Sequence, residues 1–164
     1  MIFVTVGTHE QSFNRLIEEV DKLVLNKIIN EKVIIQKGYS TYCPSFCETY
    51  DFLNYDDMVK FQKQARIIIT HGAPASFIYS LSLGKPTIVV PRQFKFGEHV
   101  NDHQLIFSKK VSKKYGFPVI EDVSELGNCI RYCNEASNKF VSNNSRFVEE
   151  LFSIMEDLFN EKEK

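Results

Sequence analysis

At 164 residues with 43% apolar side chains, the chain is long enough for one domain with a full core and no need of disulfide or metal support. Its 20 Lys and Arg against 21 Asp and Glu leave a formal net charge of −1, without the basic footprint that nucleic-acid binding calls for, so no nucleic-acid partner is expected. No apolar run approaches the roughly 20 residues of a membrane span and no signal-type segment precedes the first strand pattern, so a cytoplasmic protein is expected.

Ile2 to Val6 reads as a buried strand, Gly7-Thr8-His9-Glu10-Gln11 as its turn, and Ser12 to Leu25 as a helix with Phe13, Leu16, Ile17, Val20, Leu23 and Val24 on one face. Val33 to Gln36 is a second strand, followed by the loop Gly38 to Tyr42, and Thr49 to Leu53 is either a further strand or an extended loop. Asp56 to Gln64 has a helical pattern, with Asp56-Asp57 expected to cap it.

Arg66 to Thr70 is a third β-branched run that breaks at His71-Gly72-Ala73-Pro74-Ala75-Ser76 and enters a helix from Ser76 to Leu83, ended by Gly84-Lys85-Pro86. A strand that turns through small residues into a helix brings backbone N–H groups up to whatever lies above it, a design that suits phosphate. Thr87 to Val90 is another strand, with Pro91 to His103 after it. Then come a helix from Val100 to Tyr115, a short strand from Pro118 to Glu121, and helices from Val123 to Ala136 and Ser145 to Phe159.

The alternation predicts an α/β fold, a single Rossmann-like doubly wound parallel sheet over residues 1–164, with 145–160 as a C-terminal covering or partner-docking helix. In such a sheet the loops after the strands share one rim, where ligands bind. The two turns at Gly7 and His71 therefore point to a nucleotide carrying a pyrophosphate.

Other clusters read more plainly. Cys43, Cys47, Cys129 and Cys133 form two C-x3-C pairs, looser than the usual zinc knuckle, and Cys129 and Cys133 fit a helix face as small hydrophobes. His99 and His103 have the i, i+4 spacing of a zinc pair without the accompanying Glu pattern, so no metal is expected there. His71 is either a phosphate-side donor, accessible on its loop, or a group that closes the strand end on a backbone carbonyl. Arg92, directly after a strand, is read as a fixed cation among phosphates. Glu10 is either a catalytic base or merely a dipole partner at a helix start.

Three ordered segments carry a resemblance. Val4-Thr5-Val6-Gly7-Thr8-His9-Glu10-Gln11, Thr70-His71-Gly72-Ala73-Pro74-Ala75-Ser76-Phe77, and Val89-Val90-Pro91-Arg92 with Phe96-Gly97-Glu98-His99-Val100-Asn101-Asp102-His103-Gln104 together resemble the C-terminal domain of glycosyltransferase family 28. In particular the chain is similar to the stand-alone subunits of two-part bacterial capsule and exopolysaccharide transferases, themselves similar to the soluble subunit of a eukaryotic dolichol-linked GlcNAc transferase.

The resemblance implies the donor-binding half of a GT-B enzyme. Its donor would be a UDP-sugar, its transfer inverting and free of a metal held by an Asp-x-Asp motif. A lipid-linked saccharide acceptor would be held by a membrane-anchored partner subunit that recruits this chain to the inner face of the cell membrane. The donor sugar implied is galactose, with GlcNAc and glucose as alternatives. A different reading is a non-catalytic, nucleotide-sugar-binding regulatory subunit; a dinucleotide oxidoreductase fits less well, since no G-x-G-x-x-G follows the first strand.

Residue by residue, the resemblance places Gly7 and Thr8, and Gly72, Ala73, Pro74, Ala75 and Ser76, at the diphosphate. It places Phe52 and Leu53 at the uracil, and Asp102 and Gln104 at the sugar hydroxyls. His9 and Glu10 are the candidate base in this chain, the partner being the other source of one. An acid that binds ribose in many relatives falls here on Tyr79.

Overall fold

The computed structural model describes residues 1–133. The expected helix at 145–160, its Phe147 to Phe159 stripe and the end of the 123–136 helix lie outside the described residues.

Five parallel strands form one sheet in the order β3-β2-β1-β4-β5. They are β1 (Ile2–Thr5), β2 (Val33–Gln36), β3 (Glu48–Tyr50), β4 (Ile67–Thr70) and β5 (Thr87–Val89). The helices are α1 (Asn14–Leu25), α2 (Tyr55–Gln64), α3 (Pro74–Ser82), α4 (His103–Tyr115) and α5 (Leu126–Tyr132), joined by short 3-10 turns at Phe94–Phe96 and Val123–Glu125.

Strands β1, β2 and β4 are buried along their whole length, which is why they read as unbroken β-branched runs in the sequence. Ile2, Val4, Ile67 and Ile69 pack on α1 and α5 on one face. Phe3, Ile34 and Ile68 pack under Met58 and Phe61 of α2 on the other, where Val89 meets Phe77 of α3 and Phe107 of α4.

The strands align so that Thr5 lies between Gln36 and Thr70. All three are buried, and they put a line of polar groups beneath the C-terminal rim. The order in which strands are added reverses between β1 and β4, which makes the space between their loops the switch point where α/β sheets take ligands.

Several boundaries differ from expectation. The third strand is Glu48–Tyr50, a short edge strand starting before the expected Thr49 and ending before Phe52. Pro118 to Glu121 makes a single bridge, Val119 to Val89, because only Val89 N and O reach the neighbouring chain. Helix α3 begins at Pro74, two residues early, since a proline at the first helical position loses no hydrogen bond. Helix α2 is capped by Asn54, whose side chain accepts from Asp57 N at 2.8 Å; Asp56 and Asp57 sit inside the first turn and meet the helix dipole there.

Candidate active site at the sheet switch point

Gly7 turns the chain out of β1 at φ +78°, and a Cβ built there would lie 2.5 Å from His71 Nε2. Gly38, at φ +53°, packs equally closely, with its Cβ position 2.6 Å from the Gly7 carbonyl. Loops after β2, β1 and β4 thus interlock in the order Gly38, Gly7, His71. Gly72 adds a third contact, since a Cβ there would meet Gln104 and Pro91 at 2.9 to 3.0 Å.

His71 is buried under Gly7, only 6% exposed. Its Nδ1–H donates to Thr5 O at 3.4 Å and its Nε2 accepts from Ser76 Oγ at 3.5 Å. Burial, and then the nearby Arg92 charge, bring its pKa down to about 4, so the ring is neutral at pH 7. The expectation of a ligand-accessible loop histidine is corrected: the side chain is a platform beneath the first loop, closing a strand end on a carbonyl.

The α3 N-terminus opens on the same gap. Its N-cap Ala73 makes no side-chain cap, Pro74 occupies the first position, and Ala75 is exposed. Open backbone N–H groups at a helix start stabilise anions.

Arg92 is fully buried, and its guanidinium donates to four carbonyls: Val6 O at 2.9 Å, Gln11 O at 2.6 Å, Glu98 O at 2.9 Å and Ser12 O at 3.4 Å. Burial lowers its pKa to about 10, which still leaves it charged at pH 7. A contact with phosphate is therefore corrected to a buried charge, because the loops after β1 and β5 converge on this one side chain. The Glu98 carboxylate is engaged elsewhere, taking Arg15 Nε and Nη2 at 2.8 Å each and Gln93 N at 3.0 Å. The ring of Phe13 lies 5.3 Å from the Arg15 guanidinium and 4.9 Å from that of Arg92. Two guanidiniums and the Glu98 carboxylate thus sit together below the rim.

His9 Nε2 donates to Gln11 Oε1 at 2.8 Å, and its ring stacks on His99 with centroids 4.6 Å apart and planes 24° from parallel. An acceptor on Nε2 leaves the lone pair of the neutral ring on Nδ1. His99 lies below the usual imidazole range, through partial burial first and neighbouring His9 second. Thr8 and Glu10 are exposed, and Glu10 precedes α1 by several residues, so the helix-start reading of Glu10 does not apply.

Phe52 is 48% exposed and meets Tyr39 edge to face at 5.1 Å. Leu53 packs instead against the core under α2, which corrects its side chain from ligand contact to packing and leaves its backbone at the rim. Asp102 accepts from Phe94 N at 2.9 Å, and Gln104 Oε1 from Arg92 N at 3.3 Å, so each has one polar atom tied down and another not held by those bonds.

Tyr39, Arg15 and Glu98 were not singled out as site residues from the sequence. Glu98 stood in a quoted motif, but its partner Arg15 is remote along the chain and only the fold joins them. Among the described residues no three His, Cys, Asp or Glu side chains converge on a metal-sized point. Cys129 and Cys133 are partly buried against the core that β1, α1 and α5 share. No helix among the described residues is long and apolar enough to cross a membrane.

A parallel α/β sheet with helices on both faces and loops interlocked at its switch point defines a Rossmann-like domain. The chain belongs to the glycosyltransferase family 28 C-terminal domain family, whose model matches residues 1–158. It is 32% identical over 123 residues to the mouse (Mus musculus) UDP-N-acetylglucosamine transferase subunit ALG13, covering 68% of this chain and 10% of that protein. The human (Homo sapiens) protein of the same name is 31% identical over 126 residues, covering 69% and 10%. The chain thus spans about a tenth of the length of these curated relatives.

Among solved structures, the spinosyn forosaminyltransferase SpnP matches with a TM-score of 0.60 at 12% identity, over 93% of this chain and 39% of that one. The glycotransferase of kitacinnamycin matches at 0.56 and 16%, over 97% and 39%. SnogD from Streptomyces nogalater matches at 0.53 and 16%, over 94% and 37%. At these identities the likeness establishes the fold, shared with GT-B glycosyltransferases.

Proposed function

We propose that this chain is the donor-binding, catalytic subunit of an inverting UDP-sugar glycosyltransferase that extends a polyprenyl-diphosphate-linked saccharide in capsule or exopolysaccharide synthesis. The observation that carries the reading is the gap at the switch point, where the interlocked Gly38, Gly7 and His71 face the uncapped α3 N-terminus. On this reading UDP lies at that rim, with the diphosphate at the α3 N-terminus and the Gly7 loop, over the guanidiniums of Arg92 and Arg15. The exposed ring of Phe52, beside Tyr39, offers an apolar edge for uracil. The untethered amide of Gln104 and second oxygen of Asp102 suit sugar hydroxyls.

In the displacement, an acceptor hydroxyl attacks the anomeric carbon as its bond to the UDP oxygen breaks, and the hydroxyl proton passes to a base. His9 Nδ1 is that base on this reading, with Glu10 the second candidate. The α3 dipole and the buried cations stabilise the charge developing on departing UDP. The acceptor-binding wall belongs to a membrane-anchored partner, which brings this chain to the inner membrane face. The length of the solved neighbours, of which this chain covers 37 to 39%, supports a second wall, and the word subunit in the mammalian relatives' name supports a complex.

The resemblance to capsule enzymes favours galactose as donor sugar, while the mammalian relatives' name favours N-acetylglucosamine. Calorimetric titration with UDP, UDP-galactose and UDP-N-acetylglucosamine tests both levels of the reading. Binding of UDP with discrimination between the sugars is expected, and Gln104→Ala should weaken the UDP-sugar more than UDP. No binding by any uridine nucleotide, beside binding of NAD, would sink it.

A further inference from the structure

Among the described residues Arg92 is the largest side chain with under 2% exposure, and none of their carboxylates is bonded to its guanidinium. The nearest acid, Glu98, already gives its carboxylate to Arg15 and Gln93 N. Burying a cation on main-chain carbonyls alone is costly where an apolar side chain of the same volume would fill the space. What the guanidinium adds is a planar fork that holds several carbonyls in fixed relative positions.

The carbonyls it joins come from two loops that are distant in sequence. Nη1 donates both to Gln11 O at 2.6 Å and to Glu98 O at 2.9 Å, while Nε and Nη2 hold Val6 O at 3.3 and 2.9 Å. Of the three residues whose carbonyls Nη1 reaches, Ser12 at 3.4 Å touches no histidine, while Gln11 and Glu98 each bear on one. Gln11 holds the His9 ring through its side chain at 2.8 Å, and Glu98 immediately precedes His99, on which that ring stacks. Arg15 also ties Glu98 and the Pro91 carbonyl to α1, but of these two guanidiniums it is Arg92 that bonds the Gln11 backbone and the Glu98 backbone together.

We propose that Arg92 is a positioning residue, which by bridging Gln11 and Glu98 sets the His9 imidazole against His99 and fixes where His9 Nδ1 faces the bound substrates. The catalytic consequence rests on the reading of His9 as base; the placement of the two rings does not. Arg92 itself touches no substrate. Its action runs through Gln11 and through the 98–99 backbone.

Proton NMR of the four histidines tests the placement and steady-state kinetics of the assembled transferase tests the consequence. A stacked ring shifts the His9 imidazole protons by its ring current, and His99→Ala gives the shift without the stack. Arg92→Met and Arg92→Lys should reproduce that unstacked spectrum in a folded protein, with kcat reduced about tenfold or more and KM for the UDP-sugar changed much less. Should Arg92→Met not fold, Gln11→Ala leaves the Arg92 to Gln11 carbonyl bond in place and removes only the hold on the ring. It should show the same loss of ring-current shift and the same kcat-weighted defect.

A folded Arg92→Met that keeps the native His9 resonances overturns the proposal, as does a Gln11→Ala with native resonances and turnover. Rings that separate with no loss of turnover would support the placement and overturn His9 as the base.

Discussion

Gly7 bears two separate penalties against any side chain, a left-handed backbone and a histidine ring where its Cβ would go. Gly84, at φ +65° with open space around its Cβ position, bears only the first. Gly7→Ala should cost about 2 to 4 kcal/mol in urea unfolding and Gly84→Ala about 1 to 2, because overpacking adds to backbone strain only at Gly7. Trimming the ring in Gly7→Ala/His71→Ser should recover part of the first loss. His71 also makes stability depend on pH. Its folded pKa is depressed from 6.5 to about 4, so the unfolded chain binds more protons in that window. Stability is therefore complete above about pH 6.5 and falls by on the order of 2 to 3 kcal/mol as pH drops to about 4. Glu31, lowered by Arg66, works below the ordinary carboxylate range, where its stability is lost as pH falls further. Melting temperature against pH should show both limbs, and His71→Gln should flatten the upper one alone. What the sequence conveyed about these residues was that they are small or polar and follow strands. It could not convey that His71 and Arg92 face inward, since their burial depends on loops that meet only in the fold.

At the scale of elements, α2 is the one described α-helix whose start carries a side-chain cap; α1, α3, α4 and α5 have none. Asn54 closes α2, and Asn54→Ala should cost about 1 kcal/mol. Ala73 leaves α3 without a side-chain cap beside the proposed diphosphate. Ala73→Asp should therefore stabilise the free protein by about 0.5 to 1 kcal/mol through capping and the dipole, while a carboxylate in the anion site weakens UDP binding. Opposite signs in a melt and a titration of the same variant would locate the nucleotide at α3; equal signs would place it elsewhere. The strands were legible because parallel strands buried on both faces show as continuous β-branched runs, Ile67-Ile68-Ile69 above all. The 118–121 segment was not, since a single bridge and a strand look alike in four apolar residues. Phe52-Leu53 was half legible: one ring stays outside, and the other side chain goes into the core under α2.

For the whole molecule, ligand binding and partnership make distinct predictions. At a UDP concentration of 100 times its dissociation constant the native state gains about 2.7 kcal/mol, roughly 5 to 10 °C in melting temperature for a domain of this size. Transfer to a lipid-linked acceptor should be nearly absent for the chain alone and appear with the acceptor-binding partner, because orienting two substrates lowers a barrier by about 7 to 11 kcal/mol. Full-rate transfer by the isolated chain would refute the two-wall reading. The two borders of the sheet bear on how such a chain survives unpartnered. On one side β3 offers only three residues, with Glu48 paired to Lys32 at 2.6 Å. On the other, Val89 N donates to Pro118 O and Val89 O accepts from Ile120 N, which occupies β5 where another strand would otherwise add. Neither border gives an incoming strand a ladder long enough to grow on. Synthesised in excess over its partner, the chain should stay clear of cross-strand aggregation, and light scattering on the purified subunit should remain flat at concentrations where an open sheet edge would seed polymers.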